Sequence, residues 1–177
     1  MTLATRLATA ALALPLTMAG PASAGELDSR HTQLVAAVES TGVLVAINPP
    51  EICDDPEAPM GLYSGTHKVL VVCQDNRVAG SDKVVRWTAN DLDTLRHEAQ
   101  HLIQDCVDGP LDGELDAVYR EPVALAHDVL GVRGIRSIVR VYDEASDHVI
   151  LLELEAFSVA AMDDTSEQVA DVARYCF

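Results

Sequence analysis

Basic residues are scarce in this 177-residue chain: 12 Lys and Arg stand against 28 Asp and Glu, a formal net charge of -16. So acidic a surface repels the nucleic-acid backbone and anionic lipid headgroups, which excludes both as expected partners; it favours solubility and basic substrates. Beyond residue 24 no stretch is long and uncharged enough to cross a bilayer, so membrane insertion is not expected. No Cys-x-x-Cys pair occurs, which argues against a structural zinc held by cysteines. Internal repeats are absent, as are low-complexity tracts beyond the first residues.

Residues 1–24 read as a secretory signal peptide. Arg6 supplies the positive start, residues 7–19 are nearly all Ala, Leu, Thr and Met, and Ala22-Ser23-Ala24 is a small-residue cleavage site. No cysteine follows the expected cut, so a lipid anchor there is not expected. The remainder, residues 25–177, is long enough for one domain with one core, and the expected location is secreted or periplasmic. Its four cysteines, Cys53, Cys73, Cys106 and Cys176, are an even count that reads as two disulfides in an exported protein. Cys53 and Cys73 flank a hairpin region, while Cys106 and Cys176 each end a helical pattern. The expected pairs are therefore Cys53 with Cys73 and Cys106 with Cys176.

Periodicity places a helix over 28–40 and a buried strand over 43–47. Two antiparallel strands follow around 60–63 and 68–73, separated from the first by a loop at 51–59. A helix spans about 89–106, stopped by Gly109-Pro110. Residues 115–130 read as helix with Pro122 near a start or a kink. Residues 135–142 suit helix or strand, and helices are expected over 147–162 and 166–175.

The helix over 89–106 carries His97-Glu98-Ala99-Gln100-His101, the pattern H-E-x-x-H. A shuffled chain of this composition contains it about once in eighty, so its setting matters. Leu92, Leu95, Ala99, Leu102, Ile103 and Cys106 form a core-facing stripe beside the histidines, and Thr88 with Asp91 resembles a capped start. Residues i and i+4 share a helix face, so His97 and His101 can offer two imidazoles to one Zn2+, with Glu98 placed to take a proton from a zinc-activated water.

A catalytic zinc needs a third protein ligand. The metzincin extension would require Gly at 104 and His at 107, where the chain has Gln104 and Val107. Glu155 is the leading candidate, because a carboxylate among Leu154, Ala156 and Phe157 is costly to bury unless a cation meets it. Glu153, about 200 degrees away round the same helix, is expected to be solvated or to support the site from outside. His127 and His148 are further alternatives. As oxyanion helper, Tyr63, Tyr119, Tyr142 and His148 stand equal.

His97-Glu98-Ala99-Gln100-His101 followed by Glu155-Ala156-Phe157 resembles the gluzincin pattern, in particular that of small one-domain, or minimal, gluzincins, over residues 50–162. Gly113-Glu114-Leu115-Asp116 with Tyr119 is similar to the aspzincin run, less its threonine and with the aspartate one position early, which makes Asp116 the runner-up ligand. The gluzincin resemblance implies an α+β, zincin-like fold: a small twisted antiparallel or mixed sheet, the H-E-x-x-H helix packed on it, and a second helix completing the site. It implies a secreted zinc metallopeptidase acting on peptide or protein substrates, with Glu98 as general base. The 68–73 strand is expected to offer an edge to an extended peptide. The alternative is a non-catalytic zincin-fold protein that keeps zinc and binds a partner.

Overall fold

The computed structural model describes residues 27–107 and 109–177, so the expected signal peptide lies outside the described residues. Helix α1 (Ser29–Ser40) starts where Asp28 accepts the backbone amides of Arg30 and His31, and it buries Leu34, Val35 and Val38. Strand β1 (Leu44–Ile47) follows, then one helical turn, α2 (Pro50–Cys53), where the sequence suggested only loop. Pro50 suits that turn, since a proline at the first helical position gives up no needed donor.

Strands β2 (Gly61–Ser64) and β3 (Val69–Val72) pair antiparallel, and β1 joins the other side of β3 in parallel, giving the order β1-β3-β2. Leu70, Val71 and Val72 are all buried, as an uninterrupted apolar run in a central strand requires. This corrects one expectation: β3 has no free edge to offer a peptide, because β1 and β2 occupy both sides. The edge beside the helix that carries His97 and His101 belongs to β2.

Helix α3 (Ala89–Val107) is closed at its start by reciprocal bonds: the Thr88 amide donates to Asp91 Oδ2 at 2.8 Å, and the Asp91 amide donates to Thr88 Oγ1 at 3.1 Å. Leu95, Ala99, Leu102, Ile103 and Cys106 enter the main core with α1 and the sheet. Helix α4 (Pro122–Val129) is shorter than its pattern suggested, for two reasons. Pro122 can only open a helix, and the preceding amides of Val118 and Tyr119 donate to Glu155 rather than to a helical turn. Helix α5 (Gly131–Val141) resolves the ambiguous segment; its Ile135 and Ile138 pack with Ala126 of α4 and with Leu154 of α6 (Asp147–Met162). Helix α7 (Thr165–Tyr175) ends the chain against α1 and α3. The architecture is thus α+β with a small mixed sheet, and among the described residues no helix is long and apolar enough to cross a membrane.

Both expected disulfides are present, Cys53–Cys73 across 20 residues and Cys106–Cys176 across 70, and they suit an oxidising compartment. The second ties the end of α3 to the end of α7. By loop entropy, replacing both members of a pair by Ser is expected to lower the unfolding free energy by about 3 kcal/mol for Cys53–Cys73 and about 4 kcal/mol for Cys106–Cys176. Denaturant titration of the two double variants measures this.

Candidate metal centre

Helices α3 and α6 run antiparallel and are joined by three rungs. Arg96 Nε donates to Ala160 O at 2.8 Å, Gln100 Nε2 to Glu155 Oε1 at 3.0 Å, and Gln104 Nε2 to Leu152 O at 3.1 Å. The spacing of Arg96, Gln100 and Gln104 by four puts them on one face of α3. His97 and His101, each one residue further on, therefore lie along the margin of that contact, where a cleft of about 680 Å3 opens between α3, α6 and β2.

There the two imidazoles meet. His97 Nε2 and His101 Nε2 are 3.1 Å apart, with the ring planes at 88°. Glu153 of α6 completes the group: its Oε2 is 3.4 Å from His97 Nε2 and its Oε1 is 3.7 Å from His101 Nε2. Among the described residues, His97, His101 and Glu153 are the group whose ligand atoms cluster tightly enough to hold a metal ion. Tetrahedral zinc with bonds of 2.0–2.2 Å separates its ligand atoms by about 3.4 Å, so the observed spacings fit it. Among the described residues, buried Glu153 Oε2 has no hydrogen-bond partner, which leaves it available to a cation.

The carboxylate beside the histidines is thus Glu153 and not the expected Glu155. Glu155 is fully buried, as its apolar neighbours suggested, but hydrogen-bond donors and not a cation satisfy it. Its Oε1 accepts from Gln100, Gln104 and the Val118 amide, and its Oε2 accepts from the Tyr119 amide at 2.9 Å. Glu153, expected on the solvent side, is the carboxylate that faces the histidines. Helix α6 is packed by α3 on one side and by α4 and α5 on the other, so its apolar residues run all round and no stripe marks which acid points inward. Asp116 is exposed and engaged through its amide with Gln104 O; His127 is exposed beside Asp128, and His148 Nε2 lies 2.9 Å from Leu115 O. None of these three joins the group.

Glu98 lines the same cleft and is only 7% exposed. Burial pushes its carboxyl up to about 7, aided by the nearby charge of Glu153 and opposed by His97 and the Tyr63 amide. Burial likewise drives His101 down to about 4, which keeps its imidazole neutral, the form that binds metal. Burial opposes ionisation of Glu153, yet the two imidazoles outweigh it and its pKa is lowered. The approach of β2 to Glu98 requires Gly61, where a Cβ would lie 2.5 Å from both Glu98 Oε1 and Thr94 Cγ2.

Of the four oxyanion-helper candidates, Tyr142 is the one that lines the cleft with its hydroxyl directed at Glu153, one of the three clustered residues. Burial together with that carboxylate raises its pKa. Tyr63 donates its hydroxyl to Asp105 at 2.6 Å, and Tyr119 is turned towards Glu167. Sequence reasoning left Gln104 without a role, yet its Oε1 lies 2.8 Å from His101 Nδ1. Phe157 packs on the His97 ring at 4.3 Å. Comparison of the chain with protein-family models, curated proteins and solved structures returned no match.

Proposed function

We propose that this protein is a secreted, zinc-dependent metallopeptidase of the zincin kind. One observation carries the reading: His97, His101 and Glu153 converge within one cleft that buried Glu98 also lines. A group built only to bind metal needs no titratable acid beside it. An H-E-x-x-H helix against a small mixed sheet, with a ligand from a second helix, supports the zincin relationship.

Zinc, when bound, supplies Lewis acidity that polarises the scissile carbonyl and activates water near neutral pH. Glu98 accepts a proton at its carboxylate and returns it to the leaving amine. The Tyr142 hydroxyl donates a hydrogen bond to the substrate carbonyl oxygen. The free edge of β2 aligns an extended peptide through main-chain hydrogen bonds.

Elemental analysis of purified protein after zinc addition and dialysis is expected to find about one zinc per chain. Protein that holds none under those conditions overturns the reading. The pH profile follows from Glu98: its base role needs the ionised form, so kcat/KM rises with pH through the carboxyl pKa. That value is about 7 without a cation, and a cation at the histidines pulls it down, so the acid limb is expected at or below pH 7.

A further inference from the structure

Gln104 has a hydrogen-bond pattern that admits one arrangement. Its side-chain nitrogen faces two acceptors, Glu155 Oε1 at 3.0 Å and Leu152 O at 3.1 Å. Both amide hydrogens are thereby used, and the amide cannot be reversed without turning its oxygen onto two other oxygens. The oxygen must then face His101 Nδ1, at 2.8 Å, and a carbonyl oxygen accepts only. His101 Nδ1 is therefore the protonated nitrogen, and Nε2, which points at His97 and Glu153, carries the lone pair.

We infer that Gln104 and Glu155 are positioning residues: Glu155 holds the Gln104 amide in one orientation, and Gln104 fixes the tautomer and ring plane in which His101 presents Nε2 to a metal. Four donors converge on Glu155 from two parts of the chain, namely α3 through Gln100 and Gln104, and the adjacent amides of residues 118 and 119. The carboxylate is thus immobilised before any ligand arrives. His97 has no equivalent support among the described residues, where its buried Nδ1 has no hydrogen-bond partner. His101 is accordingly the preorganised ligand of the pair. Without Glu155, Leu152 O alone holds the Gln104 amide in place; a reversed amide offers its NH2 to Nδ1, which favours the proton on Nε2 and weakens coordination.

This inference rests on the metal-site reading above, and its test separates the two. In chelator-treated full-length protein at mildly alkaline pH, long-range 1H–15N correlation of the histidine side chains reports the His101 tautomer without zinc or turnover. The parent is expected to show His101 as Nδ1–H. Gln104→Met, which keeps the bulk and removes the acceptor, is expected to lose that single tautomer and to bind zinc about 10- to 100-fold more weakly by chelator competition. Glu155→Gln retains one oxygen for Gln104, so the Nδ1–H signal should persist and zinc affinity should change less than in Gln104→Met, even though thermal unfolding comes earlier. Glu155→Leu should give mixed tautomers; should it fail to fold, the Gln104→Met and Glu155→Gln pair decides alone. An Nε2–H signal in the parent, or parental zinc affinity in Gln104→Met, overturns the inference. A parent with the Nδ1–H signal that takes up no zinc supports the tautomer lock while overturning the metal site.

Discussion

Glu98→Gln is expected to bind zinc as the parent does and to lose peptide hydrolysis by at least about 100-fold, and up to about 10,000-fold, the usual range for removing a general base. The amide matches the carboxylate in size, so the close contact between β2 and α3 at Gly61 is kept. What disappears is the acceptor for a proton. The measurement is kcat/KM on the best substrate from a peptide library, with zinc content determined on the same preparation. Turnover equal to the parent, or no turnover by the parent above the Glu98→Gln background, removes the peptidase reading and leaves a zinc-holding binding protein in its place.

The second large effect separates the two glutamates of α6. Glu153→Ala deletes the one carboxylate whose oxygens lie 3.4 and 3.7 Å from the histidine Nε2 atoms, and should weaken zinc binding by more than about 100-fold, beyond the loss seen for supporting residues. Its fold should survive, since Glu153 lines the open cleft, where solvent can take its place beside His97, His101 and Tyr142. Glu155→Ala behaves in the opposite sense. It removes the acceptor shared by four donors, two of them buried glutamine amides, and a loss of stability on the order of 3–5 kcal/mol is expected, with a smaller effect on zinc. Zinc competition and denaturant unfolding on both variants check the pair; a Glu153→Ala protein with parental zinc affinity would exclude Glu153 as ligand.

Much of the molecule was legible along the chain because it depends on local periodicity. The four-residue spacing of His97 and His101 sets them on one face of any helix, and the stripe from Leu95 to Cys106 says which side of that helix meets the core. The cap at Thr88 is likewise short-range, and it was found where its residues predict. The disulfide pairing followed from which elements the cysteines end, and both pairs are present. The order of the strands was not legible in the same way. Nothing within residues 68–73 reveals that β1 will add in parallel on the far side, a pairing that depends on how the 48–60 segment with α2 carries the chain from β1 round to β2.

The sequence by itself determined the helix that carries His97, Glu98 and His101, because the periods of helix and strand are properties of neighbouring residues. Which carboxylate joins them was decided only by tertiary structure. Glu153 and Glu155 sit two residues apart on a helix that is apolar all round, and the burial cost that singled out Glu155 can be met by a cation or by hydrogen bonds alike. Gln100, Gln104 and the amides of Val118 and Tyr119 meet it, and those donors come together only when α3 and the 118–119 segment close on α6. Three rungs from Arg96, Gln100 and Gln104 then fix the rotation of α6 against α3, and that rotation, a property of two helices in contact, turns Glu153 to the histidines.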